Sequence, residues 1–132
     1  MSTYREERKA RGWASEHFRH HEFACPCCGV SAVRMRLVEA LERLRTKCGN
    51  APITVTSGFR CPAWNKTVGG VKKSRHCTGE AADIVVQGRH PLEVAEAADR
   101  VEPFSHGGIG TYVDRGFVHV DVRHGGPARW TG

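Results

Sequence analysis

Residues 74–83, SRHCTGEAAD, join a polar loop to a hydrophobic strand and bring two types of metal-ligating side chain close together in the chain. His76 and Asp83 are seven positions apart, and Gly79 with its small neighbours allows the loop between them to fold back. Residues 81–86, AADIVV, are typical of a buried strand. The imidazole and the carboxylate would then face one space. By themselves they fit a metal site, but a polar loop that a carboxylate caps explains the pair better.

The segments on either side predict an α+β fold with a small, mainly antiparallel sheet and helices packed on it. Leucines at three- and four-residue spacing predict an amphipathic helix over 33–48, and residues 90–101 predict a second helix. The β-branched residues 53–57 predict a strand, followed by a long loop over 58–76. Residues 109–113 and 117–122 flank a short turn that contains Gly116, which predicts a β-hairpin.

The second strand of this hairpin carries a third candidate ligand. Alternation along a strand places Val118, Val120 and Val122 on one face, and Phe117, His119, Asp121 and Arg123 on the other. His119 would complete a set with His76 and Asp83. Two imidazoles and a carboxylate suit zinc in a catalytic role, because three protein ligands leave the fourth tetrahedral position for water.

Three longer segments carry a resemblance to a known family: SGFRCPAWNKTVGGVKKSRHCTGEAADI (57–84), GIGTYVDRGFVHVDVR (108–123) and ARW (128–130). In this order they resemble the zinc D-Ala-D-Ala carboxypeptidase-like peptidases of the M15 family, most closely the short phage and prophage members. The resemblance implies a hedgehog/DD-peptidase-like fold and hydrolysis of peptidoglycan stem peptides or cross-links, as a carboxypeptidase or an endopeptidase. It also implies that His76, Asp83 and His119 bind Zn²⁺.

The same resemblance implies that Arg60, in the S-G-F-R motif, grips a substrate carboxylate or the oxyanion. Ser74, in the histidine motif, is a further candidate for substrate binding. Where many relatives have an acidic base three residues before the last zinc histidine, this chain has Gly116. We therefore predict Asp121 as the base, with Asp114 as the alternative, although Asp121 would equally serve to orient a histidine. A chain without a base would be a noncatalytic zinc-dependent binding module of the same fold.

Six cysteines raise a second metal question. Cys25 and Cys28 form a C-P-x-C-G sequence whose bend suits a zinc knuckle, while Cys61 and Cys77 lie in the loops near the predicted site. These four cysteines are candidates for a structural zinc site or for disulfides. Cys48 belongs to the apolar stripe of the first predicted helix.

Charge and length complete the predictions. The 132 residues favour one domain over 15–132 after a flexible arm over 1–14, and we expect a monomer. The net charge of +6 suits polyanions, and with the cysteine knuckle it raises the alternative of a nucleic-acid-binding protein. Because the charge is spread along the chain, we expect no nucleic-acid partner. We find no apolar run long enough to span a bilayer and no pattern of a secretory signal. We therefore expect no membrane insertion, synthesis in the cytoplasm, and action on the cell wall after release or as part of a phage particle.

Overall fold

The computed structural model describes residues 12–132, which form three α-helices and a five-stranded sheet. The helices are α1 (Met35–Lys47), α2 (Pro62–Thr67) and α3 (Pro91–Ala98). The strands are β1 (Ile53–Ser57), β2 (Ala81–Val86), β3 (Gly108–Tyr112), β4 (Phe117–Asp121) and β5 (Ala128–Thr131). Short 3₁₀ segments occupy His20–Phe23, Arg75–Thr78 and Phe104–His106.

The sheet has the order β1-β2-β4-β3-β5, in which only the β3–β5 pair is parallel. The predicted α+β class with a mainly antiparallel sheet is confirmed. Pairing register aligns one residue from each strand in a single row, namely Ser57, Asp83, His119, Gly110 and Trp130. Because paired residues point to the same face, this row concentrates polar and aromatic side chains on one side of the sheet.

The opposite face of the sheet forms the hydrophobic core. Ile84, Val118 and Val120 are fully buried there, and the apolar stripe of α1 with Leu41 at its centre belongs to the same cluster. Burial of such side chains contributes roughly 1.5–3 kcal/mol each. The core therefore fixes the strands whose other face carries the row of polar side chains.

Two elements differ from the sequence predictions. Helix α2 lies inside the region predicted as a loop, where Pro62 occupies the first turn and the Cys61 sulfur accepts a hydrogen bond from the Trp64 backbone N–H. Proline is frequent in loops, but its fixed φ also suits the start of a helix. Strand β5 is short and polar at the sheet edge, and it was not predicted.

The predicted flexible arm lies mostly outside the described residues, which begin at Gly12. The last residues of this arm form backbone contacts with the segment that follows. Trp13 forms an isolated bridge with Arg19, and the Ala14 N–H donates to the Phe18 carbonyl. Within residues 12–132, none of the helices has the length and apolar character needed to cross a bilayer.

Candidate active site

The structure brings the three predicted zinc ligands together. The Oδ1 atom of Asp83 lies 3.2 Å from Nε2 of His76 and 3.2 Å from Nδ1 of His119. One ligand atom from each residue lies within 4.8 Å of the other two, and all three residues are buried. Asp83 and His119 are direct partners across β2 and β4, while His76 comes from the 3₁₀ turn before β2.

Gly79 makes this approach of loop and strand possible. It ends the 3₁₀ turn in the left-handed region at φ 74°. A Cβ atom there would lie 2.1 Å from the carbonyl oxygen of Ala32. The expectation that a glycine lets the chain fold back between His76 and Asp83 therefore has a definite steric basis.

The outer ring nitrogens of both histidines are held by acceptors. Nδ1 of His76 lies 2.8 Å from the Gly58 carbonyl oxygen, and Nε2 of His119 lies 2.8 Å from Oδ2 of Asp121. A carbonyl and a carboxylate accept hydrogen bonds, so these nitrogens carry the protons. In the neutral imidazoles, the form that binds metal, the lone pairs of the other two nitrogens then point toward Asp83, which is the orientation that a metal requires.

Charge in the site follows from these contacts. Burial alone would raise the pKa of Asp83, but the adjacent His119 and His76 side chains outweigh it and hold the pKa well below its ordinary value. Burial opposes a charge on His119, yet Asp121 and Asp83 raise its pKa. The carboxylate of Asp83 is therefore ionised and available as a ligand at neutral pH.

Asp121 contacts the His119 ring on the side opposite Asp83. It is fully buried, and it accepts hydrogen bonds from the Gly108 N–H at 2.8 Å and from the Arg123 guanidinium at 2.7 Å. It also accepts a hydrogen bond from the Arg123 backbone N–H at 3.1 Å and contacts the His119 nitrogen that faces away from Asp83. The surroundings do not support the prediction that Asp121 takes a proton in the cavity, and they favour the alternative in which it orients a histidine. Asp114 is exposed in the β3–β4 turn and is not among the lining residues of the cavity.

Arg60 lies beside the three predicted ligands. Its guanidinium reaches Oδ2 of Asp83 at 3.5 Å and Oδ1 of Asn65 at 3.3 Å, and its Nε donates to Oγ of Ser57 at 3.2 Å. Ser74, the other predicted substrate-binding residue, is buried, and its Oγ accepts the backbone N–H of His76 at 3.2 Å. Ser74 therefore caps the turn that carries His76, and because it also lines the cavity described below, its contact with substrate stays a prediction.

An open cavity of about 850 Å³ lies over these residues. Its walls are cationic and aromatic: they include Arg60, Lys73, Arg75, Arg115, Arg123, Trp64, Tyr112, Phe117 and Trp130. Among the described lining residues, Asp83 is the only carboxylate. Such a cavity favours a ligand with carboxylate groups.

Sequence reasoning missed Trp130 as a part of this site. Its ring centroid is 5.0 Å from that of His119, and its Nε1 donates to the Tyr112 hydroxyl at 2.8 Å. Trp130 reaches His119 because β5 pairs with β3, and Gly110 leaves room for the indole. The ARW segment quoted above was the available signal, but only the pairing of β5 reveals its position.

A second group of ligand atoms lies nearby and is called the cysteine cluster below. It consists of Cys25, Cys28 and Cys61, whose sulfurs all lie within 4.8 Å of one another. The Cys25 and Cys61 sulfurs are 3.7 Å apart, and all six cysteines are free thiols. Cys77, predicted as a fourth member, lies outside this group of three.

Comparison with known proteins gives the family. The model of the Peptidase M15 family matches residues 16–121. The chain belongs to the peptidase M15 family. This match covers every predicted metal ligand, so the resemblance drawn from the motifs is confirmed. Trp130 of this M15 chain lies beyond the matched residues.

Two curated relatives have informative names. The zinc D-Ala-D-Ala carboxypeptidase of Streptomyces albus G is 41% identical over 58 residues, which cover 44% of this chain and 23% of that protein. The peptidoglycan L,D-endopeptidase MepK of Escherichia coli K12 is 31% identical over 106 residues, or 76% of this chain and 55% of that protein. The M15 chain thus spans about half or less of the length of these relatives.

Proposed function

We propose that this chain is a zinc-dependent peptidase that hydrolyses peptide bonds in peptidoglycan stem peptides or cross-links, as a carboxypeptidase or an endopeptidase. The observation that carries the proposal is the convergence of His76, Asp83 and His119 at an open cationic cavity. Membership of the M15 family and the names of both relatives support the same reaction class and substrate.

The donor set fits zinc. Two imidazole nitrogens with fixed tautomers and one ionised carboxylate oxygen face one another, and zinc in catalytic sites is commonly held by three such ligands with one position left for water. When bound, zinc would lower the pKa of that water and polarise the scissile carbonyl.

The chain's own residues would bind and orient the substrate. We infer that Arg60 donates to a substrate carboxylate or to the oxyanion, because its guanidinium lines the cavity next to Asp83. The other cationic side chains of the wall would attract the carboxylates of a stem peptide. We assign Asp121 as a positioning residue, since it holds the ring of His119 and is itself held by Arg123 and Gly108.

A second zinc ion belongs to the same proposal, with Cys25, Cys28 and Cys61 as ligands. Three sulfurs within reach of one another suit a structural site, although such sites commonly have four protein ligands. We also propose that the chain acts on the cell wall, in accordance with the substrates in the relatives' names. Monomeric state and association with a phage particle stay predictions.

The test is digestion of purified peptidoglycan by the zinc-loaded protein, with products identified by mass spectrometry. Loss of a terminal D-amino acid indicates a carboxypeptidase, and new internal termini or opened cross-links indicate an endopeptidase. His76→Ala should give neither product. Intact peptidoglycan with zinc-loaded wild type at every pH where the protein is folded would support the noncatalytic module instead. Salt-sensitive binding to DNA or RNA that survives His76→Ala would favour the nucleic-acid alternative.

A further inference from the structure

We propose that a metal ion in the cysteine cluster fixes one wall of the active-site cavity, so that occupancy of this thiolate site controls how well the peptidase binds its substrate. The inference rests on the proposed function and deepens it, because it adds a device that regulates the same site. Three groups of contacts carry it: the geometry of the cluster, the protein groups around its sulfurs, and its connections to Arg60 and His76.

The segment around Cys25 and Cys28 is shaped as a tight turn. The Cys25 N–H donates to the Val30 carbonyl at 2.8 Å, and the Gly29 N–H donates to the Cys25 carbonyl at 2.8 Å. Gly29 adopts φ 75°, in the left-handed region that glycine occupies without strain. This turn directs the sulfurs of Cys25 and Cys28, which are separated by two residues, toward Cys61, and that separation is the spacing of a zinc knuckle.

Backbone donors surround the sulfurs. The Cys61 N–H donates to the Cys25 sulfur at 3.5 Å, and the Trp64 N–H donates to the Cys61 sulfur at 3.4 Å. Backbone N–H donors stabilise thiolates, the form that binds metal, so the geometry suits a thiophilic divalent cation such as zinc.

Cys77 lies in the next loop, where it is half-buried and directly follows His76 in the chain. Its sulfur lies outside the cysteine cluster, so the sulfurs of Cys25, Cys28 and Cys61 are the described ligand atoms of this site.

One ligand of this site is the direct neighbour of a functional residue, because Cys61 follows Arg60 in the chain. The Arg60 N–H donates a hydrogen bond to the His76 carbonyl at 3.1 Å, which joins the Arg60 loop to the loop that carries His76. A metal ion bound to Cys61 would thus hold the backbone of the Arg60 loop in place, and through this hydrogen bond that of the His76 loop.

The turn around Cys25 also contributes to the cavity itself. Pro26, exposed between Cys25 and Cys28, lines the cavity together with Arg60. The Phe59 N–H donates to the Phe23 carbonyl at 2.8 Å, and a Cβ on Gly58 would lie 2.5 Å from the Phe23 Cα, so the two segments are in backbone contact. This backbone pairing and the hydrogen bonds to sulfur are the described polar contacts between the two segments, and a metal ion on the three sulfurs would add bonds from this turn to Cys61.

The test compares Cys28→Ser with Cys27→Ser, two exposed cysteines of the same turn, of which only Cys28 belongs to the cluster. Because Cys28 is exposed, its replacement opens no cavity. In a His76→Ala background, which removes the imidazole site, we expect one zinc ion per chain with Cys27→Ser and none with Cys28→Ser. Cadmium added to the same proteins should give an ultraviolet thiolate-to-metal absorption band with Cys27→Ser and none with Cys28→Ser.

With His76 intact, Cys28→Ser should retain one zinc ion and its kcat, while KM rises about 10- to 100-fold, as expected for a displaced substrate-binding group. Cys27→Ser should match wild type. The inference is overturned if Cys28→Ser keeps the thiolate metal, or if it loses that metal with no change in KM. The metal counts and the cadmium band do not depend on turnover, so a failed peptidase assay would contradict the proposed function and leave the thiolate site testable by itself.

Discussion

Replacement of Asp121 by asparagine separates a positioning role from that of a base. The carboxylate is fully buried and contacts His119 through Oδ2 and the Gly108 N–H through Oδ1. Asparagine has the same shape and keeps an oxygen for Gly108. Its NH₂ group would then face the His119 N–H and the Arg123 guanidinium, so donors would meet donors.

Two magnitudes follow from this geometry. Breaking a buried ion pair commonly costs about 3–5 kcal/mol of unfolding free energy. For Asp121→Asn we expect a smaller loss of about 2–3 kcal/mol, because Arg123 is partly exposed and the contact with Gly108 is kept. Loss of the group that orients a metal-ligating histidine lowers metal affinity by about 10- to 100-fold.

The assays are urea denaturation for stability and chelator competition for zinc affinity, followed by peptidase activity at increasing zinc. For Asp121→Asn we expect weaker zinc binding and activity that returns when excess zinc fills the site. Unchanged zinc affinity with a kcat that zinc does not restore would refute the positioning role and reinstate Asp121 as the base.

Three further variants test other parts of the account. Arg60→Lys keeps the charge but loses the planar fork, so kcat/KM should fall about 10- to 100-fold while the zinc count per chain stays at its wild-type value. Gly110→Ala places a Cβ 2.3 Å from Nε1 of Trp130, so near-ultraviolet circular dichroism should show a displaced indole and activity should fall. Burial alone would raise the pKa of Glu42, but Ser15 and His17 lower it below its ordinary 4.5, so its stabilisation is present above about pH 4.5 and is lost as pH falls through the lowered pKa. Glu42→Gln should therefore cost about 1–2 kcal/mol at pH 7 and little in strong acid, as measured by denaturation at both pH values.

Much of the fold follows from local patterns in the sequence. The leucine spacing predicted α1 to within two residues at its start, and left-handed Gly49 and Asn50 end it where predicted. β-Branched and hydrophobic runs predicted β1 and β2. Strand β5 was not predicted because its four residues are exposed or half-buried at a sheet edge and so lack a hydrophobic pattern. The strand is stabilised by its pairing with β3.

The candidate site shows the same division between local and non-local information. The motifs predicted that His76, Asp83 and His119 bind one metal ion. Strand alternation correctly placed Asp121 on the same face of the strand as His119. The direction of the Asp121 carboxylate depends on Gly108 and Arg123, which no spacing rule reveals. Trp130 likewise depends on the order of strands in the sheet.

The zinc content of wild type, His76→Ala and His119→Ala, measured on the same samples as hydrolysis of purified peptidoglycan, tests the central claim most directly. The account predicts that each variant has one zinc ion fewer per chain than wild type and releases no peptide products. Equal zinc content in all three proteins, or full hydrolysis by either variant, would contradict the claim that these side chains hold the catalytic metal.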